Sequence, residues 1–84
     1  MSPKRFKDIR VSTGLTQDAF GKYLGLAKLS VSQFETGFRK PGKQLVLLMS
    51  YIELLNDRKR HEFLKVLREI VEKEFVSSSG KVRT

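Results

Sequence analysis

Four side chains in the middle of the chain combine hydrogen-bonding and apolar groups within six residues. The spacing of residues 28–36 predicts a short helix whose outward side presents Lys28, Leu29, Ser32 and Gln33. A glutamine amide can pair with adenine through two hydrogen bonds, and a lysine can donate to O6 and N7 of guanine. Serine can donate or accept, and leucine can pack against a thymine methyl group. The simpler alternative is an ordinary helix whose polar side chains only face solvent.

A pair of short helices joined by a tight turn would hold these side chains in place. The apolar residues of 17–24 and 28–36 recur at helical spacing, and Thr16 is a candidate N-cap of the first helix. Gly25 and Gly37 follow the two segments, where a helix end favours a residue that tolerates the left-handed conformation. A helix pair with such a short connection is the geometry that places a helix in the major groove of DNA.

Residues 15–41 resemble the helix-turn-helix of the Xre/Cro family, which includes phage repressors, antitoxins and small bacterial regulators. Their sequence is LTQDAFGKYLGLAKLSVSQFETGFRKP. The resemblance extends over residues 5–55 and depends on Leu15-Thr16-Gln17, Leu24-Gly25, Val31-Ser32, Glu35, Gly37 and Pro41. Ala27 stands where the family usually has a Ser or Thr cap, which removes about 1 kcal/mol of local stabilisation. Gly21 replaces a common Ala and is predicted to lie where the two helices cross.

This resemblance implies an all-α fold, a five-helix lambda-repressor-like domain over residues 1–76, with residues 28–36 as its recognition helix. It implies base reading by the four side chains named above. Phosphate contacts are expected at the start of the second helix, where the helix dipole favours an anion, and in the loop after the recognition helix. The predicted phosphate-binding residues are Thr16, Gln17, Ser30, Thr36, Arg39, Lys40 and Lys43. Phe38, in the same loop, is expected to pack on the domain rather than on a sugar or a thymine methyl group.

The first helix is predicted to begin at Ser2-Pro3 and to end near Ser12. In the phage repressors an arginine at the position of Arg10 pairs with a glutamate at the position of Glu35. We therefore expect an Arg10–Glu35 ion pair that locks the first helix to the recognition helix. Two separately solvated charges are the alternative.

The charge of the chain is unevenly distributed. The 84 residues carry a formal net charge of +8. Residues 1–43 contain nine Lys/Arg and three Asp/Glu, a net +6, whereas residues 44–84 contain eight and six, a net +2. Basic charge thus concentrates in the part that contains the predicted helix pair, as a surface facing phosphates requires. Solubility alone is the alternative explanation.

Composition also argues against several other functions. The chain has no cysteine and one histidine, so neither a disulfide nor a metal cluster is expected. We predict no cofactor, no small-molecule ligand, no catalytic residue and no enzymatic activity, since no glycine-rich phosphate loop and no paired nucleophile is present. No apolar run approaches the ~20 residues of a membrane span, so a soluble, cytoplasmic protein is expected. The family resemblance implies a bacterial or phage source.

The last two helices are predicted at residues 44–55, which we assign to the core, and at about residues 57–76. The apolar arc of the last helix is broader than one stripe, which suggests a second subunit as partner. Packing of the whole arc on helices one and four is the alternative. The exterior of this helix, including Arg60, is expected to face solvent, and residues 77–84 are expected to form a disordered basic tail. The predicted dimer interface consists of Phe63, Leu64, Leu67, Ile70, Val71 and Phe75.

Two hypotheses of different classes follow. The first is a sequence-specific transcriptional regulator, a dimeric repressor bound to an inverted-repeat operator. Many proteins of this family control their own operon, and phage, antitoxin, restriction-controller and anti-defence contexts all stay open. The second hypothesis is an interaction module whose last helix binds another protein, for instance a toxin, with DNA binding secondary. A stable homodimer would favour the first hypothesis.

Overall fold

Five α-helices and a short π-helix make up the part of the chain that the structure, a computed structural model, describes, which is residues 1–77. No strand occurs among these residues. The predicted tail lies almost wholly outside them, since residues 78–84 are not described. The helices are α1 Pro3–Thr13, α2 Gln17–Leu24, α3 Lys28–Thr36, α4 Lys43–Leu54 and α5 Asp57–Val71, and the π-helix is Glu72–Ser77. The all-α prediction with five helices is therefore confirmed.

Side-chain caps begin three of the five helices. Ser2 accepts a hydrogen bond from the backbone N–H of Arg5 at 3.1 Å, and Thr16 accepts one from Ala19 at 3.1 Å. Asn56 caps α5 in the same way, through the N–H of Lys59 at 2.9 Å. Each bond satisfies one of the N–H groups that the first turn of a helix leaves without a partner. At Ala27 no side chain caps α3, as its sequence predicts.

The turn between α2 and α3 explains two glycines, Gly21 within α2 and Gly25 at its end. Gly25 ends α2 with φ of 73°, in the left-handed region, so that the chain reverses within three residues. A Cβ on Gly21 would lie 2.5 Å from the carbonyl oxygen of Leu26 and 3.5 Å from Val31. The sequence placed Gly21 at the crossing of the two helices. The tightest approach is instead to the backbone of the turn.

The core is centred on three aromatic rings from three different helices. Phe6 of α1 meets Phe20 of α2 edge to face, with ring centroids 6.2 Å apart, and meets Phe34 of α3 at 5.3 Å. Such pairs add to the stabilisation that burial alone provides. The other buried apolar side chains are Ile9, Val31, Met49, Ile52 and Leu64. The helix pair thus rests on a core to which every helix contributes.

Helix α5 packs most extensively on α2, with smaller contacts to α1 and α4. This differs from the alternative considered for its apolar arc, which was packing on helices one and four. The helix predicted at residues 57–76 is α-helical only to Val71. The π-helix Glu72–Ser77 follows it directly. No helix among residues 1–77 combines the length and the hydrophobicity that crossing a membrane requires.

Arg60 was assigned to a solvated face, and that assignment is wrong. Its side chain is only 13% exposed. The guanidinium donates to the carbonyl oxygens of Ile52 at 3.1 Å, of Leu55 at 2.9 Å and of Glu53 at 3.4 Å, and lies 3.5 Å from that of Ser12. The last turn of a helix leaves carbonyls without intrahelical partners, and a cation is favoured there. Arg60 therefore joins the ends of α4 and α1 to the start of α5.

Candidate nucleic-acid interface

Helix α3 is joined to the rest of the domain by a nearly buried ion pair. Arg10 donates from Nε to Glu35 Oε2 at 2.6 Å and from Nη2 to Oε1 at 3.1 Å. It also donates from Nη1 to the carbonyl oxygen of Leu15 at 2.8 Å. The Arg10 and Glu35 side chains are 12% and 3% exposed. The predicted pair is thus present, in a two-pronged geometry that connects α1 to the end of α3 and to the chain before α2.

Gln17 belongs partly to this buried network. Its amide nitrogen donates to Glu35 Oε1 at 3.0 Å, and its side chain is half-buried. One of its two N–H hydrogens is therefore engaged within the protein, and only the other is free for the phosphate contact predicted for this residue. Thr16 beside it is exposed at the start of α2. Asp18 brings a negative charge to the same helix start, with Lys22 3.6 Å from its carboxylate.

The four predicted base-reading residues lie on one side of α3, and we refer to them as the reading face. Val31 and Phe34 point into the core, which turns Lys28 and Leu29 outward into solvent. Ser32 and Gln33 lie on the same side and are half-buried. Three polar side chains and one apolar side chain are thereby presented together, in the arrangement that base contact from a helix requires.

Residues 38–43, the basic loop, follow α3 directly. Lys40 and Lys43 are exposed there, as expected for phosphate-binding side chains. Phe38 is 78% exposed, so the prediction that it packs on the domain is wrong. The loop leaves α3 at Gly37, which has a left-handed backbone conformation.

Arg39 occupies a position that the sequence did not predict. It was expected to contact phosphate, but its guanidinium lies against α3, with Nη1 3.2 Å from Ser30 Oγ and 3.4 Å from Gln33 Oε1. The same group lies 5.1 Å from the centre of the Phe34 ring. The hydroxyl of Thr36 donates to the backbone carbonyl of Gln33 at 3.3 Å, so its hydrogen is engaged within the helix. Two predicted phosphate contacts, Ser30 and Arg39, are thus bonded to each other.

The predicted dimer residues on α5 fall into three groups. Leu64 is 4% exposed and belongs to the core of its own chain, so it is not available to a partner. Phe63, Leu67 and Val71 are half-buried, the first two packed against the core. Only Ile70 and Phe75 are largely exposed. The broad apolar arc is therefore divided between the core and the surface.

Helix α4 exposes an apolar stripe that sequence reasoning missed. Leu47, Tyr51 and Leu54 follow one another at helical spacing, and Leu54 is 83% exposed. The ring of Tyr51 packs edge to face on Phe63 of α5, with centroids 5.0 Å apart, and so connects the exposed apolar side chains of the two helices. We refer to Leu47, Tyr51, Leu54, Val66 and Ile70 as the apolar face. The helical spacing of residues 47, 51 and 54 could have predicted this stripe. The apolar residues assigned to the core of the same helix are more numerous and drew the prediction to the opposite side.

Comparison of the chain with protein-family models, with curated proteins and with solved structures finds no match.

Proposed function

We propose that this protein is a sequence-specific DNA-binding regulator of transcription, a dimeric repressor that occupies an inverted-repeat operator. The observation that carries the proposal is the position of the reading face directly beside the basic loop, on a helix fixed from behind by a nearly buried ion pair. A polar helix face bordered by cations matches what a DNA groove offers, which is base edges between two rows of phosphates. Family resemblance of the motif in residues 15–41 points to the same function.

In this proposal, phosphate contacts determine the position of the protein on the DNA, and the reading face selects the base sequence. The exposed Thr16 and the first N–H groups of α2 bind one phosphate, favoured by the helix dipole. Lys40 and Lys43 bind others along the basic loop. Gln33 can both donate to and accept from base edges, whereas Lys28 only donates to them. The exposed Phe38 lies in the loop where it can pack on a sugar or a thymine methyl group.

Dimerisation through the apolar face completes the proposal. A face of exposed leucine, valine, isoleucine and tyrosine is unfavourable in water and is typical of protein–protein contact. A dimer that presents its two reading faces to one duplex would require half-sites about 34 Å apart or a multiple of that distance. Two half-sites also compensate for the small number of strong base readers on each reading face.

Sedimentation of the purified protein, followed by selection from a pool of random duplexes, tests the proposal. We expect a dimer that enriches one inverted repeat and whose affinity for DNA falls steeply with salt. Enrichment of no sequence, with binding that depends only on salt, would contradict a sequence-specific regulator. The Gln33→Ala and Lys40→Ala variants divide the roles further, because the first should lose affinity only for the selected site and the second about equally for all DNA.

The apolar face also favours a second candidate, a module that binds a different protein. Leu54 and Phe75 are among the most exposed apolar side chains of the described residues. A protein that stays monomeric at high concentration and binds DNA without sequence preference would support this candidate. A homodimer with a defined operator would exclude it as the main function.

A further inference from the structure

The chain folds back over the recognition helix immediately after it ends. Gly37 has φ of 85°, and the backbone N–H of Arg39 then donates to the carbonyl oxygen of Gln33 at 3.2 Å. This bond ties the start of the basic loop to the last turn of α3. Arg39 is thereby held over the side of α3 by the backbone itself, before its side chain makes any contact.

The side chain of Arg39 is exposed to solvent, but three contacts place its guanidinium against α3. The group lies over the ring of the nearly buried Phe34, at 5.1 Å from its centre, in a cation–π arrangement. Nη1 is 3.2 Å from Ser30 Oγ and 3.4 Å from Gln33 Oε1. Ser30 and Gln33 are one turn apart on α3, so the guanidinium spans the gap between the edge of the helix and the reading face.

A hydrogen bond from arginine removes an ambiguity that a glutamine otherwise has. The amide of a free glutamine can present either its oxygen or its nitrogen in a given direction, and the two choices demand opposite partners on a base. Because arginine only donates, it can bond only to Gln33 Oε1. The oxygen is then held toward the basic loop, and Nε2 points to the other side. Oε1 keeps a second lone pair, so the oriented amide can still accept one hydrogen bond and donate another.

We propose that Arg39 is a positioning residue for base recognition, which fixes the amide orientation of Gln33 and through it the base that Gln33 selects. The inference rests on the proposed function, since it concerns how the reading face selects DNA. It assigns to Arg39 a role in specificity beyond the uniform attraction to phosphates that any cation in the basic loop supplies. Arg39 does so without needing to touch a base.

Selection from random duplexes by four proteins tests this inference. They are the wild type, Gln33→Ala, Arg39→Ala and Lys40→Ala, the last being a matched control that removes a neighbouring exposed charge. The position read by Gln33 is the base pair whose preference disappears in Gln33→Ala. A bidentate contact discriminates there by roughly 5- to 150-fold, so Arg39→Ala should lower the preference at this position by at least about threefold. Lys40→Ala should weaken binding to all sequences and leave every preference within about twofold of wild type.

The double variant Arg39→Ala/Gln33→Ala separates positioning from general binding. It should show no further loss of preference relative to Gln33→Ala, and only the uniform loss of affinity that one missing cation causes. Circular dichroism of Arg39→Ala before and after heating controls for a folding defect. A folded Arg39→Ala protein that keeps every preference, or a Gln33→Ala protein that loses none, would overturn the inference while the proposed function stands. If the wild type enriches no sequence at all, the proposed function itself fails.

Discussion

The side of the molecule formed by α2, α3 and the basic loop exposes different chemistry from the side formed by α4 and α5. The first presents Lys28, Lys40 and Lys43 around a polar helix, whereas the second presents Leu47 and Leu54 in a stripe. The charged side should respond to salt, and the apolar side should respond to protein concentration. In the proposed function the two sides therefore bind two kinds of partner, DNA through charge and a second subunit through apolar contact.

The two sides are also supported differently from within. Behind the charged side lies the Arg10–Glu35 pair, in which two nearly buried charges satisfy each other. Behind the apolar side lies Arg60, which is bonded mainly to the backbone carbonyls at the end of α4. Leaving a buried charge without the opposite charge that pairs with it costs more free energy than leaving backbone carbonyls without a donor. Substitutions should reveal this difference.

Glu35→Ala is expected to have the largest effect on stability. It leaves the Arg10 guanidinium nearly buried without its carboxylate, which costs about 3–5 kcal/mol. In a domain of this size such a loss approaches the whole free energy of unfolding. Thermal unfolding followed by circular dichroism should show a much lower midpoint or no cooperative transition.

Two variants control this experiment. Asp18→Ala removes an exposed carboxylate from α2 and should change the free energy of unfolding by no more than about 0.5 kcal/mol. The double variant Arg10→Met/Glu35→Leu should recover most of the loss, because no unpaired charge stays buried. A Glu35→Ala protein that melts at the wild-type temperature would show that the pair contributes nothing.

Arg60→Ala is expected to have a smaller effect, about 1–3 kcal/mol, on the other side of the molecule. The substitution removes the side-chain donor from the carbonyls of Ile52 and Leu55 at the end of α4, although the carbonyl of Ile52 keeps the backbone N–H of Leu55 as a donor at 3.2 Å. Denaturant unfolding at equilibrium measures the loss. Arg58→Ala, on the same helix with a side chain 88% exposed, is the matched control and should stay within about 0.5 kcal/mol of wild type. Equal losses for the two variants would contradict the capping role of Arg60.

Leu54→Lys should weaken self-association by at least about tenfold, or 1.4 kcal/mol, with little effect on the folded monomer. Leu54 is so exposed that a lysine fits there without loss of core packing, but a charge opposes burial in a dimer. Sedimentation equilibrium measures the change. Leu29→Lys, an exposed leucine on the reading face, should leave the oligomeric state unchanged. If the Leu29 variant dissociates the dimer and the Leu54 variant does not, the two sides have been assigned in the wrong order.

The smallest effect is expected from pH at Glu53. Arg5 Nη2 lies 2.6 Å from Glu53 Oε1, and this hydrogen bond, together with the charge of Arg5, lowers the pKa of Glu53. A carboxylate with a lowered folded-state pKa stabilises the protein above its unfolded pKa of about 4.3, and the contribution disappears as the pH falls through the folded value. The melting temperature of wild type should therefore slightly exceed that of Glu53→Gln near neutral pH. The two should converge in acid, and a difference that grows on acidification would contradict this sign.

The helices were predictable because their signals are local. Thr16 caps α2 and Asn56 caps α5 through bonds to residues three positions away, and Gly25 and Gly37 end α2 and α3 at left-handed backbone angles. All these features lie within one turn of the helix end that they define. The bounds of α2 and α3 were accordingly predicted to the residue, and the end of α5 was not, since no capping glycine marks it.

The side-chain roles were less predictable because they depend on distant partners. Arg60 and Arg58 look alike in sequence, but only Arg60 faces the ends of two other helices. Arg39 looks like any loop cation until the backbone turns it onto α3. Leu64 was predicted to lie in the dimer interface, because the sequence does not reveal which side of α5 packs on α2. In each case the deciding contact joins residues whose proximity only the folded chain creates.

The junction at Arg60 has a consequence for motion within the folded state. The Arg60 side chain contacts the end of α4 and the end of α1, and it belongs to the start of α5. Fraying of any of these three helix ends therefore breaks a hydrogen bond to the Arg60 guanidinium. Amide hydrogens near these ends should therefore exchange with solvent at similar rates, as one cooperative unit. In Arg60→Ala the three ends should open independently, and their exchange rates should separate.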